Sequence, residues 1–228
     1  MNIAIILAAG KSERLKEIAV PKQLYLINRV PLFMYSVLTF NDLEEIDEIY
    51  LVTNEQCLSE IEQYVKQYSL TKKVKGLILG GRTRQESVYL ALKHLEKIAK
   101  DDDIILIHDS ARPLLEKETI LKNIENTVRY GAVTTAIKVK DTIFSESEDG
   151  VDHIVSRSRL YQAQTPQSFK YCLIKKAHES AVLNNVFASD DSALIKEIGY
   201  DVKIVLGTTT NFKITTIEDI KLLEMMVL

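Results

Sequence analysis

The chain has no tryptophan, only two cysteines, four prolines, eight glycines and four histidines in 228 residues. Each scarcity removes a class. Cys57 and Cys172 are too few and too far apart for a disulfide framework or a cysteine metal site, and they read as small hydrophobes of a reducing cytoplasm. His94, His108, His153 and His178 stand in no metal-ligand spacing, and His108 reads as packing at a strand end. Low glycine and proline argue against linkers and low-complexity tracts. No charge of one sign dominates: the net charge is −3, which disfavours a broad nucleic-acid-binding surface but leaves room for a local phosphate site. No apolar run is long enough to span a membrane. The N-terminal run Ile3–Ala9 lacks a basic leader, so it is wrong for a signal peptide and reads as a buried strand.

What is present is an ordinary globular composition, 46% hydrophobic and 27% charged, at a length suited to one α/β domain. Ile3–Leu7 is continuously apolar, as a central parallel strand buried on both faces requires. Strands are expected at Glu48–Thr53, Val74–Leu79, Ile104–Ile107 and Ala132–Val139. Helices are expected over Pro31–Phe40, Glu55–Tyr68, Gln85–Ala99 and Glu116–Tyr130, the last closed by Gly131. Strand–helix alternation predicts a Rossmann-like, mostly parallel sheet with helices on both faces. The pattern breaks at about 138–161. Short extended pieces at Thr142–Phe144 and His153–Val155 flank the polar turn Ser145–Gly150, which reads as a protruding β-arm suited to subunit contact. Helices at about 168–183 and 190–198, strands at Val202–Leu206 and around Phe212–Ile214, and a helix from Ile217 complete the reading of 1–228 as one domain.

Ligands of open parallel sheets bind beyond the carboxyl ends of the strands, and the unusual residues fall there. Ala8, Ala9, Gly10, Arg14 and Lys22 follow the first strand. Gly10-Lys11-Ser12 is no P-loop, because Ile5 stands where that motif needs glycine, and the dinucleotide fingerprint lacks its later glycines. A tight Ala-Ala-Gly turn with two cations remains; taken alone, it is equally an ordinary solvated loop. Gly80-Gly81 leads through Arg84 to Ser87 into a helix N-terminus, a place for polar or anionic ligands, or merely a turn capped by Thr83. Asp109 and Arg112 follow the fourth strand. Asp109 suits a hydrated Mg²⁺ and Arg112 a phosphate or hydroxyl, although an isolated turn aspartate often only caps its own backbone.

In order, Leu7-Ala-Ala-Gly10 with Arg14, Pro21-Lys22-Gln23, Gly80-Gly81 with Arg84 and Ser87-Val88, and His108-Asp-Ser-Ala-Arg-Pro113 run through the first half. Val139-Lys-Asp-Thr142, Gln164-Thr-Pro-Gln167 with Phe169, Asp190-Asp191 and Asn211-Phe-Lys-Ile-Thr215 follow. This series resembles the 2-C-methyl-D-erythritol 4-phosphate cytidylyltransferases over nearly the whole chain. The resemblance implies CMP transfer from CTP to the polyol phosphate with Mg²⁺ and release of pyrophosphate. It implies that Arg14, Lys22 and Lys213 carry the charge stabilisation, and that Ala8, Ala9, Gly10, Gly81, Arg84 and Ser87 bind the nucleotide. Asp109 is expected at the metal and substrate, with Arg112 and Thr142 at the polyol phosphate. Arg157 and Thr165 are expected to enter from a partner's arm in a homodimer. Ser12, Arg82 and Tyr161 depart from the family's usual glycine, acidic residue and tryptophan. Two other readings stay open: a ribitol-5-phosphate or other polyol-phosphate cytidylyltransferase, and a non-catalytic nucleotide-binding protein.

Overall fold

A computed structural model describes residues 1–10, 15, 18–148 and 150–227. Strands β1 (Asn2–Leu7), β4 (Glu48–Thr53), β5 (Val74–Leu79) and β6 (Ile104–Asp109) lie parallel, with β1 between β4 and β6. Their side chains alternate between two cores because successive strand residues point to opposite faces. Ala4, Ile6, Leu51 and Leu106 face α1 (Leu32–Asn41), α2 (Glu55–Gln67) and α4 (Lys117–Tyr130), which contribute Phe33, Ile61 and Ile120. Ile3, Ile5, Val52 and Ile107 face α3 (Arg84–His94), α5 (Tyr171–Asn184) and α6 (Asp191–Glu197), which contribute Leu92, Ile174 and Leu194. Helices therefore cover both faces, as expected of a parallel sheet.

Among the described residues the sheet has seven strands, extended past β6 by β10 (Tyr161–Lys170), β7 (Ala132–Lys138) and β11 (Lys203–Leu206). Strand β10 is antiparallel to both of its neighbours. It corrects the expected helix from about 168, which begins at Tyr171 instead. A strand in the middle of a sheet normally announces itself by apolar residues. Here Gln164, Thr165, Gln167 and Ser168 are buried, and Pro166 sits within the register shift between Ala163 and Gln167.

The polar burial is supported by bonds across the fold. Ser168 Oγ donates to Asn123 Oδ1, Gln164 Nε2 to Thr208 O, and Gln167 Nε2 to Thr134 Oγ1 and Asp190 Oδ2. Buried polar groups are tolerated when paired in this way.

Smaller expectations also shift. Pro31 caps α1 from an extended conformation instead of opening it. The helix expected to reach Ala99 ends at His94 and continues as a 3-10 turn, Leu95–Lys97. No strand forms at Phe212–Ile214; that segment is held by a bond from Ile214 N to Ala111 O beside the end of β6. Gly131 closes α4 in the left-handed conformation, φ 81°.

A third apolar cluster packs Leu15, Ile27 and Leu32 against Ile220 and Leu223 of α7 (Ile217–Met226), with the short β2 (Leu26–Ile27) and β3 (Val30–Pro31) beside it. The arm is a two-stranded ribbon, β8 (Ile143–Ser147) and β9 (Gly150–Val155), whose strands extend further into the expected turn than their flanking sequence suggests. Among the described residues it pairs with no strand of the main sheet.

Candidate active site

The first loop leaves β1 with Ala8 N donating to Val52 O, which fixes the backbone at the mouth of the sheet. Gly80 ends β5 against it. A side chain there would bring its Cβ to 2.8 Å from both Ala9 Cβ and Ser87 Oγ, so the two loops approach only because residue 80 has none. Ser87, buried in the first turns of α3, accepts from Gly81 N at 3.1 Å and donates to Thr83 O at 2.8 Å. Thr83 is the N-cap, as the sequence suggested, accepting from Glu86 N. The glycine turn is thereby set by side chains of the helix it precedes.

Between these loops and the end of β6 lies a cleft of about 480 Å³. Its walls include Ala8, Ala9, Gly10, Lys22, Gly81, Arg84, Ser87, Asp109 and Lys213, nine of the residues singled out from sequence. Asp109 is buried and lies at its floor. Its carboxylate accepts from Arg84 Nε at 3.0 Å and Lys213 Nζ at 2.6 Å. Burial pushes the Asp109 pKa upward, but the two cations outweigh that and hold it well below the usual carboxylate range. Lys22 Nζ donates to Ile214 O, the residue after Lys213, so lysines from opposite ends of the chain meet in one wall.

Behind the cleft, Arg84 Nη1 donates to Asp191 Oδ2 at 2.7 Å, and Asp191 Oδ1 meets His178 Nε2 at 3.0 Å. Burial works against the Arg84 charge, but Asp191 and Asp109 raise its pKa still further above the ordinary arginine value. His108 is buried beneath the cleft, bonded to Arg112 O and Thr165 Oγ1. Burial lowers its pKa to about 4, so it is a neutral packing group at pH 7, as read from sequence.

Other expected residues lie elsewhere. Arg14 and Ser12 fall outside the described residues. Arg112 does not line the cleft: Nη1 and Nη2 donate to the carbonyls of Asn211 and Ala163, locking the Lys213 segment to β10. Thr165 is not on the arm. It is buried in β10, where its hydroxyl accepts from Asp109 N at 3.1 Å in the same chain, which corrects its expected entry from a partner. Thr142 and Arg157 are exposed on and beside the arm, Arg157 donating to Lys140 O, and neither lines this cleft.

Asp191 and His178 were given no role from sequence. Asp190-Asp191 reads locally as a helix cap and first-turn acid, and nothing nearby signals a partner 107 positions away.

Among the described residues no cluster of three His, Cys, Asp or Glu could hold a metal. Asp109 is the one carboxylate among the described residues lining the cleft, and Arg84 and Lys213 already engage both of its oxygens. The donor set fits a magnesium ion carried mainly by a ligand's phosphates, with Asp109 touching it or its water shell.

A cleft at the carboxyl edge of a mostly parallel sheet, walled by glycine turns and by more cations than carboxylates, defines a nucleotidyltransferase of the α/β class. The model of the IspD family, 2-C-methyl-D-erythritol 4-phosphate cytidylyltransferase, matches residues 2–228, and the chain belongs to that family. It is 40% identical to the enzyme of that name from Thermosipho melanesiensis, over 98% of this chain and 96% of the relative. It is 38% identical to that of Shouchella clausii, over 97% and 94%. Among solved structures, the 4-diphosphocytidyl-2C-methyl-D-erythritol synthase of Anaerococcus prevotii superposes with a TM-score of 0.83 at 29% identity, covering 99% of this chain and 95% of that one.

Proposed function

We propose that the protein transfers CMP from CTP to 2-C-methyl-D-erythritol 4-phosphate, giving 4-diphosphocytidyl-2-C-methyl-D-erythritol and pyrophosphate. The observation that carries the reading is the meeting of Lys22 and Lys213 in one cleft beside the buried Asp109 carboxylate. A phosphate oxygen of the polyol attacks the α-phosphorus. A new P–O bond forms as the bond to the bridging oxygen of the leaving pyrophosphate breaks. The attacker is already an anion, so no side chain has to remove a proton. Such a reaction asks for positioning and for fixed positive charge where negative charge develops. Lys22, Lys213 and Arg14 supply that charge. Asp109 keeps Lys213 and Arg84 in place, and its own negative charge keeps it acceptor-only. The small groups of Ala8 to Gly10 and the Gly81–Ser87 turn leave backbone groups able to read a pyrimidine edge. Magnesium, when bound, neutralises triphosphate charge, with Asp109 as the residue able to hold it.

The active form is a homodimer joined through the arm. Phe144, Val151 and Ile154 are 55%, 62% and 68% exposed on the ribbon, an apolar surface that the described residues leave open. Arg157 and Thr142, beside that surface, then serve the neighbour's cleft. The enzyme works in a reducing cytoplasm, in keeping with two unpaired cysteines. Pyrophosphate release is the test, with CTP, UTP, ATP and GTP paired against methylerythritol phosphate and ribitol 5-phosphate. Turnover only with CTP and methylerythritol phosphate, lost on chelation of Mg²⁺, is expected. Preference for ribitol phosphate, or equal use of ATP, overturns the reading.

A further inference from the structure

Five groups form an unbroken line from the cleft into the protein: Lys213, Asp109, Arg84, Asp191 and His178. The contacts run 2.6, 3.0, 2.7 and 3.0 Å, with charge alternating as far as Asp191. Only the first three line the cleft. Asp191 is fully enclosed, at 1% exposure, and its position is fixed three ways. Its backbone N–H donates to Gln167 Oε1, His178 holds Oδ1, and Arg84 holds Oδ2.

The guanidinium of Arg84 is thus gripped at two of its three nitrogens, Nε by Asp109 and Nη1 by Asp191. The third, Nη2, is buried without a partner among the described residues. A planar guanidinium held at two corners has one orientation, and its remaining N–H groups are presented in a fixed direction. A buried donor left unpaired is costly in the empty protein and is satisfied when a ligand oxygen arrives.

We propose that Asp191, seated on His178 and Gln167, is a positioning residue of the reaction: it fixes Arg84 so that Nη2 meets an oxygen of the bound nucleotide. The role of Arg84 toward CTP rests on the function proposed above; the geometry that Asp191 imposes on it does not. Removing the Asp191 carboxylate leaves Arg84 anchored at Asp109 alone and free to pivot. A purely structural role for Asp191 predicts lower stability with unchanged kinetics per folded molecule. A positioning role predicts a kinetic defect that exists only while Arg84 is there.

The experiment is a double-mutant cycle with Asp191→Asn and Arg84→Ala, read as KM for CTP and kcat on folded protein. Asp191→Asn is nearly isosteric, so it opens no cavity. In the Arg84 background it is expected to raise KM for CTP about tenfold with a smaller fall in kcat, the size of one charge-assisted hydrogen bond. In the Arg84→Ala background the same substitution is expected to change KM by less than about twofold. An equal rise in both backgrounds, or no rise in either, overturns the proposal. If the wild type does not turn over CTP, the proposed function fails, and the Arg84 Nη1–H resonances, on the nitrogen that Asp191 holds, decide this inference without substrate. Separate, slowly exchanging Nη1 protons in the wild type and their averaging in Asp191→Asn support it; the same behaviour in the two proteins overturns it.

Discussion

The cleft and the arm use side chains in opposite ways. In the cleft, charges are buried and answered within the chain: Asp109 by Arg84 and Lys213, Arg84 by Asp191, Asp191 by His178. On the arm, β8 and β9 bond to each other and turn apolar groups outward to solvent. One region is organised before any ligand arrives, which is how a site avoids reorganising as the reaction proceeds. The other is shaped by a ribbon that is marginal alone and gains stability from what covers it. Parallel strands that stop at one edge can position charge to within a fraction of an ångström; a two-stranded projection supplies reach.

The largest effect expected breaks the first half of this contrast. Lys213→Ala and Lys22→Ala should each lower turnover about 100-fold or more, the scale of deleting one stabiliser of developing charge. Lys22→Ala should change the melting temperature little, whereas Lys213→Ala leaves the buried Asp109 with Arg84 alone and should lower it, so turnover is compared per folded molecule. Near-normal turnover in either folded variant would reduce the cleft network to a structural ion cluster.

The second experiment bears on the arm. If Arg157 serves the neighbouring cleft, Arg157→Ala and Lys213→Ala proteins, each weak alone, should regain activity when mixed and allowed to exchange subunits. Each hybrid then has one site with both groups. Ile154→Asp should prevent the exchange and leave monomers by light scattering, because it places charge on an exposed apolar ribbon. Fully active monomers at micromolar concentration would show the arm to be dispensable.

The third sharpens the idea of an organised cleft by comparing adjacent glycines. A Cβ on residue 80 meets Ala9 Cβ and Ser87 Oγ at 2.8 Å, both fixed by packing or hydrogen bonds. On residue 81 it meets Glu86 Cγ at 2.2 Å and Glu86 Cβ at 2.7 Å; the half-exposed end of that side chain can swing away, giving up its bond to Arg82 N, but its Cβ is fixed to α3 and the turn must shift. Gly80→Ala and Gly81→Ala are therefore each expected to destabilise by about 2 kcal/mol, an overpacking cost. Urea unfolding of the two variants measures it; near wild-type stability in either would mean that the turn is looser than its bonds suggest.

The same contrast explains what could be read from sequence. Strands β1, β4 and β6 are apolar because both their faces are buried, β5 at the sheet edge is only partly so, and the strand ends marked the cleft through Gly10, Gly81 and Asp109. Strand β10 is equally central, yet Gln164, Thr165, Gln167 and Ser168 hide it. Their partners, among them Asn123, Thr134 and Thr208, lie far off in sequence, and no local pattern records them. The resemblance alone sent Thr165 to a partner's arm; a strand beside β6, which no local pattern announces, puts it under Asp109 of its own chain. Arg112 was legible as a cation near the site; its capture by the Asn211 and Ala163 carbonyls depends on a segment read as a strand that forms none. The relay to Asp191 and His178 needed three helices and two strands in place before it could be seen.

The smallest effect expected concerns the layer beneath the cleft. His108 is enclosed between Phe40, at a ring distance of 5.5 Å, and its bonds to Thr165 and Arg112. Burial lowers its pKa from 6.5 to about 4, a shift that the nearby Asp109 charge opposes without overcoming. The folded state therefore resists the proton that the unfolded chain accepts. Well above pH 6.5 neither state is protonated there and the group contributes no pH dependence. As pH falls from 6.5 toward 4 the unfolded chain binds a proton that the folded one does not, so stability declines. The loss between pH 7.5 and 5.5 is about 1 kcal/mol. For a chain of this length it lowers the melting temperature by about 2–4 °C. Asp109 and Asp191, held below the usual carboxylate range, act in the same direction only at still lower pH, as they are protonated in the unfolded chain first. His108→Gln should be less stable at pH 7.5, yet its melting temperature should fall less between pH 7.5 and 5.5 by the one-proton amount. An equal fall in variant and wild type would place the titrating group elsewhere, and the layer under the cleft would then be open to water in a way its packing does not suggest.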